Sequence, residues 1–414
     1  MTPAQEAARM VDALGAEALA KSQAYTIGNE VLLFVGVAVS ILMAWVMIRF
    51  KLLDRVAAKV ERKPEEPAKG EQAEGQKKKR KGLPWALATF LTGVAFYAIG
   101  DLLRLPYTIY VGWWRERSYD LSKQPLGDWL GQWAISEVIG IVLGGLFLLG
   151  LYALIRKAGQ RWWLWGAGFT GLVTVLMMLA LPVLILPLFN KFEPVPQGPV
   201  RVALEKIADD IQIPHDKIFM YDGSRQSEYF TANVAGIGPT ARIAISDVAL
   251  KEASLAEVKA VTGHEAGHYK LGHVWRYVWV FPLLTALGLW LIQRLFAPTA
   301  RLLGSDAQLH EPRGLPVFMV LVSVLSLLAS PFQVSLTRIG EAEADAYSLL
   351  TVNEPDALAS ALIKTAEYRY PRPGKLEETL FYDHPSVENR VLKAMEWKAA
   401  HPAAKPAGNG TTAQ

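Results

Sequence analysis

Six long, almost uncharged apolar runs restrict this chain more than any motif does: residues 31–48, 84–103, 133–155, 162–189, 275–296 and 315–336. A helix rises about 1.5 Å per residue and the hydrocarbon core of a bilayer is about 30 Å thick, so about 20 apolar residues cross it. A lone run of this kind can be a buried core helix. Six of them, in a chain with 51% hydrophobic and 20% charged residues, argue against that reading. In lipid every backbone N–H and C=O must be satisfied within the segment, which leaves helices. Trp162, Trp163 and Trp165 open the fourth run, where an interfacial belt is expected. Asp101 and Glu137 lie toward the ends of theirs. A transporter would carry charges deep inside several spans.

The polar remainder divides the chain. Residues 1–189 are expected to be a membrane domain of four spans, interrupted by a flexible basic linker at 51–82 that ends in KKKRK. Blocks 190–274 and 337–400 flank the last two spans, at 275–336, and are expected to form one catalytic domain in two parts. Residues 401–414 have the composition of a disordered tail. Within the first block, Val202, Ile207 and Ile211 have helical spacing. Residues 217–221, 229–234 and 242–246 are short strand-like runs separated by turn residues. From Ser254 the pattern is helical again, and Glu257 three residues later completes a capping box.

That helix carries His264-Glu265-Ala266-Gly267-His268. Four residues on a helix of 3.6 per turn return to nearly the same face, so both imidazoles can grip one ion. Glu265 is offset and stays free to take a proton from a water the ion polarises. The chain has no cysteine, so thiolate sites, Cys nucleophiles and disulfides are excluded and a metal must use His, Asp or Glu. A catalytic zinc takes three protein ligands. His273, about 500° further around a continuous helix, is expected to point away. Leu271 and Val274 stand where the metzincin pattern needs Gly and His. A carboxylate from a later helix remains. In Glu341-Ala342-Glu343-Ala344-Asp345, Glu341 and Asp345 share a face and Glu343 is expected to point elsewhere. Glu341 could ligate while Asp345 braces a ligand histidine.

These residues resemble the M48 metallopeptidases, in particular the Ste24-type CAAX prenyl endoproteases. The similarity rests on HEAGHYKLGH at 264–273, EAEAD at 341–345 and HPSVENR at 384–390. PLFNKFEPVPQG at 187–198, the 222–250 region and LPYTIYVGWWRE at 105–116 extend it over roughly residues 20–400. The resemblance implies about six transmembrane helices around a chamber, plus a gluzincin-type catalytic domain with a small antiparallel β-sheet. It also implies one zinc ion on His264, His268 and Glu341, with Glu265 as general base. Asp345 matches the family's bracing carboxylate. His384 and Arg390 match its His-Pro motif, where the histidine steadies the developing oxyanion. The family's substrate strand commonly reads Asn-Ala-aromatic; here it is Thr231-Ala232-Asn233, followed by Val234. Eukaryotic members have seven spans, and residues 16–50 resemble their second.

The expected partners are a peptide or protein substrate, lipidated ones included, and the lipid bilayer. A net charge of +4 is too weak to mark a nucleic-acid surface. The expected location is a bacterial cell membrane. Counting Lys/Arg in short loops puts 51–82 inside and 190–274 outside, whereas the resemblance puts the catalytic domain on the cytosolic side. Two other functions compete: a quality-control protease of the HtpX type, and a non-enzymatic scaffold with a structural zinc. An intact Glu265 weighs against the scaffold, since a structural site needs no base.

Overall fold

The computed structural model describes residues 1–60, 83–228 and 231–402. Five of its helical stretches are long and apolar enough to cross a membrane: Ala16–Arg49, Trp85–Ser118, Leu126–Leu188, His273–Leu302 and Pro312–Thr351. The third contains two helices, Leu126–Ala158 and Trp162–Ala180, separated by a 3-10 turn at Gly159–Arg161. The runs at 133–155 and 162–189 both lie on it.

The chain divides into two compact units. One comprises residues 29–181 and 275–330. Its core gathers Met47, Phe96, Leu151, Trp162, Phe296 and Leu321 from different helices. Trp162 is therefore a core residue, while Trp165 is 65% exposed as a belt residue should be. Large apolar side chains such as Val138, Leu283 and Leu328 remain on the outer surface, as lipid contact requires. Small residues let helices approach: a Cβ on Gly144 would meet Tyr97 at 2.5 Å. Gly140, which shares its helix, has open space around it.

The linker begins later than its charges suggest. Residues Leu52–Val60 are helical, and Leu53 and Ala57, one turn apart, are buried. Residues 61–82 and 403–414 lie outside the described residues.

The other unit comprises residues 1–28, 182–274 and 331–414. Its sheet has strands β1 (Phe192–Pro194), β2 (Ile218–Tyr221), β3 (Ala232–Ala235) and β4 (Arg242–Ser246), in spatial order β1-β2-β4-β3. β1–β2 and β3–β4 are antiparallel but β2–β4 is parallel, so the sheet is mixed and not antiparallel as expected. A parallel neighbour needs a long crossover. The excursion from Asp222 to Ala241, which includes β3, supplies it.

Helix Pro199–Ile211 covers one face of the sheet with Leu204, Ile207, Ala208 and Ile211, packed with Ile218, Ile243, Ile245 and Val258. Val202 is on its exposed side. A second cluster joins Leu358, Leu362, Val387, Val391 and Met395 to Ala7 of the first helix, Pro3–Asp12. The first 28 residues thus pack with this unit.

Candidate metal centre

Helix Leu255–Lys270 carries the HExxH sequence. Its N-terminus is fixed by the expected box: Glu257 N–H donates to Ser254 Oγ at 3.2 Å, and Ser254 N–H to Glu257 Oε2 at 2.8 Å. Glu257 also accepts from Ser360 Oγ (2.8 Å) and pairs with Lys364 (2.9 Å). Burial works against its charge, but these donors hold its pKa below the usual carboxylate range.

The partner helix Leu315–Thr351 runs without a break through the sixth apolar run and the EAEAD segment. It crosses the HExxH helix closely because two glycines leave room. A Cβ on Gly267 would meet Ala344 Cα at 3.0 Å, and one on Gly263 would meet Val352 Cγ2 at 2.5 Å. Ser348 Oγ seals the crossing by donating to Ala260 O at 2.7 Å. The spacing of Gly263 and Gly267 was a readable signal of this crossing.

This contact brings Glu341 between the two histidines. His264 Nε2 and His268 Nε2 are 3.2 Å apart, His264 Nε2 is 3.1 Å from Glu341 Oε2, and His268 Nε2 is 3.3 Å from Glu341 Oε1. Ligands about 2.0–2.1 Å from a tetrahedral ion stand about 3.3–3.4 Å from one another, so this triangle fits zinc. Glu341 Oε2 is buried without a well-aligned hydrogen-bond donor among the described residues. A cation facing all three groups would satisfy that oxygen, and the three converging ligand atoms fit one.

Around the triangle, Asp345 Oδ1 lies 2.8 Å from His264 Nδ1. Arg390 binds the same carboxylate through two hydrogen bonds of 2.7 Å, from Nε and from Nη2. Burial disfavours a charge on His264, but Asp345 and Glu341 prevail and hold its pKa up to about 10 in the ion-free chain. His384 stands on the loop before helix Val387–Ala400, its Nδ1 2.7 Å from Asp383 Oδ1 and its Nε2 3.0 Å from Glu341 Oε2. Asp383 was not singled out in the sequence. Burial raises the Glu265 carboxyl above its ordinary range, against the pull of His264 and His268. Glu265 feels the charges of Glu341 and His384 as well.

One expectation fails here. His273 does not point away from the pair, because the helix ends at Lys270 and Gly272 turns the chain at φ +67°. His273 then opens helix His273–Leu302, with its Nδ1 2.9 Å from His268 Nδ1. Glu343, expected off the face shared by Glu341 and Asp345, stays outside the triangle, with its Oε2 2.9 Å from His273 Nε2.

The segment expected to hold substrate lies at the edge of the sheet. β3 covers Ala232–Ala235; residues 229–230 are outside the described residues. Thr231 O accepts from Ser246 N–H at 2.9 Å, and Thr231 Oγ1 is 2.6 Å from Tyr221 Oη. The antiparallel alternation then directs the backbone groups of Asn233 to β4 and those of Ala232 and Val234 to the open edge. Ala232 and Val234 side chains pack on the core, and Asn233 Oδ1 is buried without a partner among the described residues.

The family model described as peptidase family M48 matches residues 194–398. The model described as CAAX prenyl protease N-terminal, five membrane helices, matches residues 3–191. The chain is 29% identical over 313 residues to the uncharacterized metalloprotease YhfN of Bacillus subtilis, covering 74% of each chain. It is 28% identical over 314 residues to CAAX prenyl protease 1 of Saccharomyces cerevisiae, covering 71% of this chain and 69% of that one. The crystal structure of S. mikatae Ste24p has the same fold, with a TM-score of 0.72 at 22% identity over 93% of this chain and 90% of that one. The chain belongs to the M48 peptidases, as an integral membrane metalloprotease of the Ste24 or CAAX prenyl protease type.

Proposed function

We propose that this chain is a zinc endopeptidase that binds one zinc ion through His264, His268 and Glu341 and cleaves peptides near their C-terminus, as CAAX-type processing does. The observation that carries this reading is the triangle of ligand atoms 3.1–3.3 Å apart with Glu265 next to His264 in the chain. When bound, zinc supplies Lewis-acid polarisation of a water and of the scissile carbonyl. Glu265 takes the proton of the attacking water and passes it to the leaving amine. Its raised pKa suits both halves of that task. The outward backbone groups of Ala232 and Val234 hold the peptide extended as an added strand. His384, held at Nδ1 by Asp383, presents Nε2 to the carbonyl oxygen as charge builds there. Asp345, clamped by Arg390, fixes the His264 ring.

The substrate class is proposed on the N-terminal family match and on the names of the plant and yeast relatives. The test is digestion of a prenylated CAAX peptide and its unprenylated twin by the purified protein, with products identified by mass spectrometry. Release of a C-terminal tripeptide from the prenylated peptide is expected. Cleavage confined to loops of misfolded membrane proteins would replace this reading with the HtpX type.

A further inference from the structure

We infer that His273 and Glu343 form a relay, one hydrogen bond backed by a carboxylate, that locks the His268 ring in its metal-binding tautomer and orientation. The inference rests on the reading of His268 as a zinc ligand and extends it to two residues behind that ring.

The geometry allows one consistent proton placement. If His268 offers the Nε2 lone pair to the ion, its proton is on Nδ1. The atom facing that N–H is His273 Nδ1, at 2.9 Å, which must then be the acceptor. The proton of a neutral His273 is therefore on Nε2, and the Glu343 carboxylate stands 2.9 Å from that nitrogen as its electrostatic partner. The opposite tautomer of His268 would place a proton on Nε2, where the ion belongs.

The fold holds the relay firmly. His273 is 2% exposed, and its ring meets His268 edge to face at 5.0 Å. Helix Leu315–Thr351 reaches both ends of the His268 ring, with Glu341 at Nε2 and Glu343 through His273 at Nδ1. His273 is not itself a ligand, because its Nδ1 faces the side of His268 away from Glu341. The two ligand histidines are thus braced differently. His264 leans on a buried carboxylate neutralised by Arg390, whereas His268 leans on an imidazole that passes the interaction to a more exposed carboxylate. Both arrangements orient a ring without adding an unbalanced buried charge beside the ion.

The experiment measures zinc affinity by chelator competition on the full chain in detergent, with the cobalt(II) visible spectrum as a second readout. Residues that brace a metal ligand typically change affinity about 10–100-fold. His273→Leu is expected to fall within that range and to alter the cobalt spectrum. His273→Asn, whose Oδ1 replaces the Nδ1 acceptor, should recover most of the affinity. Glu343→Leu should show a smaller loss. Thermal unfolding of the metal-free variants controls for folding. If His273→Leu does not fold, Asn against Gln gives the same contrast, since Gln places its acceptor at the Nε2 position. Wild-type affinity in His273→Leu, or equal losses in the Asn and Gln variants, overturns the relay. His268→Ala run alongside separates the two readings. If it keeps zinc, the ligand assignment falls and takes the relay with it. If it loses zinc while His273→Leu does not, only the relay falls.

Discussion

Glu265 shows what a single side chain contributes at this site. It sits between His264 and His268 in sequence, yet its carboxyl takes no part in their triangle with Glu341. Replacing it with Gln leaves size and hydrogen bonding nearly intact and removes only the proton acceptor. Glu265→Gln is therefore expected to retain zinc and unfold at the wild-type temperature while losing peptide hydrolysis by about 10²–10⁴-fold, the usual range for a general base. Metal analysis and turnover on one preparation check this; near-normal turnover would remove Glu265 from the proposed mechanism. The HExxH spacing was legible because it is local to one helix turn. His273 was misread for the same reason: the projection assumed a continuous helix, and Gly272 ends it.

At the level of elements, the HExxH helix is held at its start by Glu257 and at its middle by the glycine crossing. The folded-state pKa of Glu257 is depressed, so its stabilising contribution is present above the unfolded carboxylate pKa of about 4.3 and is lost as pH falls through the lower folded value. Wild type should exceed Glu257→Gln in melting temperature at neutral pH, and the gap should close in acid; a gap constant with pH would show that the charge is immaterial. The edge strand yields a second prediction. Ala232 turns its N–H outward, where an added peptide strand would pair. Ala232→Pro deletes that donor and should damage KM and kcat together, whereas Asn233→Ala should do less. A dead Asn233→Ala beside an active proline variant would mean that side chains, not backbone, recognise substrate. Hydrophobic alternation made β2 and β4 legible, but not their parallel pairing, which depends on where the chain returns after β3. β1 escaped because three residues, Phe192-Glu193-Pro194, are too few to carry a periodicity. Helix Leu52–Val60 escaped because its buried Leu53 and Ala57 stand among charges.

At the scale of the whole molecule, the packing of the N-terminus bears on which side of the membrane each polar block faces. The first helix, Pro3–Asp12, packs through Ala7 on the same cluster as Val387 and Val391, so the N-terminus and the block bearing Arg390 share a side. One apolar helix, Ala16–Arg49, lies between that N-terminal helix and the basic segment that starts near residue 51. If that helix crosses the bilayer once, the basic segment and the proteolytic unit face opposite compartments. Counting from the other direction agrees if the apolar helices Trp85–Ile109, Leu126–Ala158 and Trp162–Ala180 each cross once before β1, an odd number. The charge rule puts the basic segment in the cytosol and the family resemblance puts the catalytic domain there, and each is compatible with opposite sides. The absence of cysteine makes the test direct. Single cysteines at Ser224, in the catalytic unit, and at Lys69, in the basic segment, can be labelled in intact cells and in inverted vesicles with a membrane-impermeant maleimide. Each should react in one preparation and be protected in the other, with the two patterns reversed. Labelling of both from the same side would show that one of the apolar helices does not cross, and the assignment of spans would have to be redrawn from Leu126–Leu188, where two helices meet at a three-residue turn.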